Sequence, residues 1–147
     1  KRTFPLRLPL HSAFHTPLMN ESSRKAFDDL GMLLSWSTPK TPLIDGRGNI
    51  WFPNACSSLD LCEYTLGQQV TQAYDFGALI RSALRNLAPD VIILLGPGSN
   101  LGSSVAQVLI SENWQDIDTK EHFIHRQKKN PILLSMGRSN QRKMATR

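Results

Sequence analysis

The sequence predicts an α/β domain, and three observations carry that expectation. Residues 74–111 read in order as an amphipathic helix, a short apolar run, a glycine-rich turn and a second helix, the order from which α/β domains are built. The run Val91-Ile92-Ile93-Leu94-Leu95 is rich in β-branched residues and has no polar alternation, which predicts a parallel strand buried on both faces. A chain of 147 residues, 40% hydrophobic and 20% charged, is long enough for one core and too apolar to be a disordered tail.

Each element has its own signal. Residues 4–10, Phe-Pro-Leu-Arg-Leu-Pro-Leu, alternate in polarity and carry prolines, the pattern of an edge strand. After the turn at 12–16, Pro17 fits the first helical position and Thr16 its N-cap. Leu18, Met19, Ser22, Ala26, Phe27, Leu30, Leu33 and Leu34 recur at three-to-four spacing, predicting a helix over 17–34. Thr41–Ile44 and Ile50–Phe52 flank Asp45-Gly46-Arg47-Gly48-Asn49 as a hairpin. Leu59–Gln69 follows as a short helix capped by Ser57 or Ser58. The helix over 74–87 turns Phe76, Leu79, Ile80, Ala83, Leu84 and Leu87 to a core and stops at Pro89-Asp90. Leu101–Ile110 is the helix after the glycine-rich turn, and a helix at 119–128 and a strand at 131–135 complete the chain.

Composition excludes several classes. The longest apolar run is five residues, against about twenty for a membrane-spanning helix. Pro5, Arg7 and Pro9 interrupt any apolar region behind Lys1-Arg2, so no signal peptide is read. Cys56 and Cys62 are too few for a disulfide scaffold or a zinc cage and read as small buried hydrophobes, which makes the cytoplasm the default location. The net charge of +5 is uneven. Residues 1–119 hold 9 basic and 11 acidic residues, whereas 120–147 hold 8 basic residues and one acid, Glu121. A basic tail can attract nucleic acid, but these residues lack the interleaved aromatics that stack on bases, so a solvated tail is expected. His122 and His125 stand i, i+3 with no third ligand in reach, so no metal site is read.

His15 is the first candidate for chemistry. It lies at the end of a predicted strand, just before a helix, where a side chain can reach a pocket above a sheet edge. Imidazole suits general acid–base work because it titrates near neutrality. The glycine-rich turn Gly96-Pro97-Gly98-Ser99-Asn100-Leu101-Gly102 is neither a Walker A loop nor a dinucleotide fingerprint. Ser99 has Pro97 and Leu101 where a nucleophile elbow has glycines, so a tight strand-to-helix turn is the expectation.

Phe14-His15-Thr16-Pro17-Leu18-Met19 resembles the catalytic-His segment of the malonyl/acyl-CoA:acyl-carrier-protein acyltransferases, which include polyketide synthase acyltransferase domains. The likeness continues, in order, through Pro42–Asp45, Gln69–Phe76 and Val91–Gly98, and covers residues 4–111. It implies the C-terminal part of a large α/β-hydrolase-like subdomain over 1–118, followed by a basic extension over 119–147. It also implies ping-pong transfer of a malonyl group from CoA to the phosphopantetheine thiol of acyl carrier protein, in fatty-acid or polyketide synthesis. A Ser in a Gly-x-Ser-x-Gly elbow would attack the thioester, with His15 as its base. The CoA thioester is a substrate, and no resident cofactor or metal is implied. Asp75 falls roughly where bacterial relatives carry a residue that orients the His, although a helix N-cap is the commoner use of such an Asp. Phe14 resembles the malonyl-selective pattern, in which a ring beside the α-carbon clashes with an added methyl group.

The chain departs from the family in one respect: it contains no Gly-x-Ser-x-Gly. The family places that elbow, and the Arg that pairs with the malonyl carboxylate, well upstream of the His. With Lys rather than Met first, the chain is expected to be the His half of such an enzyme, inactive alone. Two other readings compete: an α/β serine hydrolase using Ser99 and His15, and a non-catalytic half-domain with a basic binding tail.

Overall fold

The computed structural model describes residues 12–96 and 98–146. The strand expected at 4–10 lies outside them. The chain is a mixed α/β structure that divides into two compact units, Lys1–Leu43 with Trp51–Tyr74 and Ile44–Ile50 with Asp75–Arg147.

In the first unit, a 3₁₀ turn over Pro17–Met19 leads into α1 (Asn20–Leu30). Pro17 opens it as predicted, but the Thr16 hydroxyl does not cap the turn; it donates backwards to the Ala13 carbonyl at 2.7 Å. The helix also stops four residues before the predicted 34. Gly31 marks the end, and Leu33 and Leu34 beyond it are exposed. The apolar spacing therefore overstates the buried face: Leu18 is 82% exposed, while the one fully buried residue of α1 is Ser23.

The hairpin forms as predicted, from β1 (Leu43–Ile44) and β2 (Ile50–Trp51). Its turn is tied by the buried Asp45. One carboxylate oxygen accepts the backbone N–H of Arg47 (2.8 Å) and Asn49 (3.1 Å), and the other accepts the Arg47 guanidinium at 2.6 Å. Gly48 completes the turn at φ +82°, a conformation that glycine adopts without strain.

Residues 58–71 form one continuous helical stretch: α2 (Ser58–Glu63), a π turn (Tyr64–Gln68) and α3 (Gln69–Thr71). Ser57 is the N-cap, its hydroxyl accepting from Leu59 and Asp60. Gly67 of the π turn lies under the Phe27 ring, and the Ser23 hydroxyl donates to the Leu66 carbonyl at 2.6 Å. Tyr64 packs inward against Trp51, ring centres 5.7 Å apart.

The second unit carries the larger apolar cluster. α4 (Phe76–Leu87) is capped by Asp75 and ends on Ala88 in the left-handed region. β3 (Ile92–Leu94) follows, then α5 (Gly102–Ser111), α6 (Lys120–Lys129), β4 (Leu133–Ser135) and α7 (Ser139–Ala145). β3 and β4 pair in parallel, Ile92 opposite Leu133 and Leu94 opposite Ser135. The strand drawn from the basic C-terminal region is thus half of this sheet. Leu84, Val105, Leu109, Ile117 and Ile132 are sealed from solvent, with Ile80 and Leu133 completing their cluster.

The expectation that 91–95 is buried on both faces is corrected. Ile92 and Leu94 pack on the core, but Val91, Ile93 and Leu95 are 43%, 45% and 81% exposed. The run is apolar throughout, yet within this two-stranded sheet the helical cluster covers the Ile92–Leu94 side only.

Candidate active site

His15 is held by the end of the helical stretch 58–71. The last carbonyls of a helix have no intrahelical donor. Here Gln68 recovers one from the backbone N–H of Gln72 at 2.9 Å. His15 supplies the next two: its ring Nδ1 donates to the Gln69 carbonyl at 2.5 Å, and its backbone N–H to the Val70 carbonyl at 3.0 Å. The Tyr74 ring lies against the imidazole, centres 5.2 Å apart and planes inclined at 42°.

Two chemical consequences follow. A carbonyl oxygen only accepts, so Nδ1 carries the proton in this bond. In the neutral ring Nε2 is then the lone-pair atom, the arrangement a general base needs. The backbone of His15 is also unusual, at φ +61°. Non-glycine residues in this region are uncommon and persist where the surroundings over-determine them. The paired bonds to Gln69 and Val70 are that over-determination.

The helix end itself is fixed from below. A π turn over Tyr64–Gln68 precedes it, and the Ser23 hydroxyl and the Phe27 ring contact that turn at Leu66 and Gly67. Short π segments often occur at functional sites.

The other predicted residues divide. Phe14 precedes His15 and is 54% exposed, so it is not a core residue. Asp75 is the N-cap of α4: one carboxylate oxygen accepts from Ala78 N–H at 2.8 Å, and the other is 3.7 Å from the Arg81 guanidinium. Ser99 sits in the strand-to-helix turn, where Gly96 (φ +104°) and Gly98 (φ +76°) take the left-handed positions. His122 pairs with Asp118 at 2.6 Å on the exposed side of α6. Among the described residues no group of three or more His, Cys, Asp or Glu could hold a metal ion.

Gln69 was not among the residues singled out in the sequence, because its contribution is a main-chain carbonyl and leaves no side-chain signature. The available signal was the predicted helix end at Gln69, which leaves unpaired carbonyls where the chain stops.

No protein-family model, curated protein or solved structure matches the chain. Among the described residues no helix is long and apolar enough to cross a membrane.

Proposed function

We propose that this chain supplies the general base of a malonyl-type acyl transfer between CoA and an acyl carrier protein. The observation that carries the reading is the His15 imidazole, fixed through Nδ1 on the Gln69 carbonyl within the segment that resembles the acyltransferase His motif. In the proposed reaction Nε2 takes the proton of a Ser nucleophile as it attacks the acyl-CoA thioester, then gives that proton to the departing sulfur as the C–S bond breaks, so CoA leaves as its thiol and Nε2 is free again. Nε2 next takes the proton of the carrier's pantetheine thiol as that attacks the acyl-enzyme, and gives it to the Ser oxygen as the ester bond breaks, which restores the Ser hydroxyl. The nucleophile comes from outside this sequence, on a Gly-x-Ser-x-Gly elbow. Phe14 narrows the acyl pocket towards malonyl. The proposed setting is fatty-acid or polyketide synthesis in the cytoplasm, on a large subdomain of α/β-hydrolase type.

The test uses the product of the complete reading frame that contains this chain, assayed for malonyl transfer to acyl carrier protein. His15→Ala is expected to lower kcat by about 10²–10⁴-fold, the usual range for a lost general base, and Ser99→Ala to leave it unchanged. The 147-residue chain alone is expected to transfer nothing. A reading frame without a Ser elbow, or full transfer by His15→Ala, overturns the proposal. Loss of activity in Ser99→Ala would instead favour the hydrolase reading.

A further inference from the structure

The second unit holds a cavity of about 530 Å³, within the range of small-molecule sites. It plays no part in the reading of His15. One wall is the face of α5 that bears Ala106 and Ile110, and the opposite wall is the face of α6 that bears Phe123 and Ile124. Leu94 and Leu133, from the two parallel strands, form the floor. The cavity therefore lies by the strand ends, where open α/β sheets place their ligands.

Its polar groups are one-sided in charge. Lys120 and Arg138 line it, and no Asp or Glu does. Neither cation has an ion-pair partner among the described residues, unlike Arg47, Arg81 and Arg85, each paired with a carboxylate. Lys120 is moreover the first residue of α6, the end at which a helix dipole disfavours a cation. Two of the three glutamines that line the cavity are occupied in part: Gln127 bridges Ile132, Leu133 and the Leu133 carbonyl, and Gln141 accepts from Ser135 N–H, while Gln107 adds a neutral amide. The two cations are thus the charged groups that line the cavity without an ion-pair partner among the described residues.

We propose that this cavity binds a small amphipathic organic anion, its oxyanion head between Lys120 and Arg138 and its apolar body against Phe123, Ile110 and Leu133. An Arg fork matches a carboxylate in two hydrogen bonds, and apolar walls reject a bare inorganic ion that keeps its hydration shell.

The probes are octanoate, the neutral analogue octanol and inorganic phosphate, titrated into the 147-residue chain and followed by calorimetry and amide chemical shifts. Octanoate is expected to bind at least 10-fold more tightly than either control, with shifts concentrated at Ser103, Phe123, Ser135 and Arg138. Arg138→Ala and Lys120→Ala, both at exposed positions, are each expected to weaken octanoate at least 5-fold and leave octanol unchanged. Ala106→Phe, which fills the cavity, is expected to abolish octanoate binding. The proposal is overturned if octanoate does not bind the wild-type chain, if octanol or phosphate binds as tightly, or if the shifts fall elsewhere.

Discussion

His15 combines two properties that rarely coincide: a left-handed backbone and a ring committed through one nitrogen. A non-glycine residue in that conformation stores about 1–3 kcal/mol, which the bonds to Gln69 and Val70 offset. Asn tolerates positive φ, whereas a β-branched residue does not. His15→Asn is therefore expected to keep stability within about 1 kcal/mol of wild type, and His15→Val to lose about 1–3 kcal/mol, both read from urea unfolding. On the proposed function, His15→Asn in the complete protein would still abolish transfer, which would separate the proposed chemical role of the ring from its role as a helix cap. If the proposed function holds, Phe14→Ser in the complete protein is expected to relax discrimination against a methylmalonyl group by about 1–3 kcal/mol, measured as the ratio of kcat/KM values. The sequence singled out His15 and Phe14 because their side chains carry the resemblance. The Gln69 carbonyl was not legible, since any residue type presents one.

At the scale of elements, the hairpin turn offers a pH-dependent test. Burial pushes the Asp45 carboxyl up, but the Arg47 guanidinium and the backbone N–H groups of Arg47 and Asn49 outweigh it and hold the pKa below its ordinary 3.8. A depressed carboxyl contributes stability that is whole above the ordinary value and is lost as pH falls through the lower folded value. The stability gap between wild type and Asp45→Ala is therefore expected to be constant from neutrality to about pH 5, at about 1–3 kcal/mol, and to close at lower pH. A gap that widens on acidification would contradict the account. Gly137 offers a steric test: a Cβ there would run into the Gly98 carbonyl. Gly137→Ala is expected to lose about 1–3 kcal/mol, the usual penalty of overpacking, in thermal unfolding. Most elements were legible because caps and breakers are local: Ser57, Asp75 and the turn at 45–49 all sit where their chemistry predicts. The π turn was not, and the groups that contact it, Ser23 and Phe27, lie some forty residues away in the sequence.

For the whole molecule, apolar spacing identified more core than the fold uses. The stripe of α4 is buried at Ile80 and Leu84, yet Leu18, Leu33 and Leu95 stand in solvent. Spacing reports which residues could share a face, not whether another layer covers it. The buried cluster instead draws Val105 and Leu109, Ile117, and Ile132 from three separate segments of the second unit. Leu109→Ala is expected to destabilise that unit by about 2–5 kcal/mol, as for other fully buried leucines, in chemical unfolding. The α/β class followed from the order of elements, and the parallel pairing of β3 with β4 agrees with it. The charge asymmetry did not translate into a detached tail, because Ile132, Leu133 and Leu134 anchor the basic region through β4.

The proposed role of His15 as a base rests on the proton that its Nδ1 donates to the Gln69 carbonyl. Two-bond ¹H–¹⁵N correlation of the His15 ring, at a pH where imidazole is neutral, reads that proton directly. The predicted result is a protonated Nδ1 and a lone-pair Nε2, with the pattern lost in His15→Asn. A ring protonated at Nε2 would break the bond to Gln69 and leave Nε2 unable to act as the base.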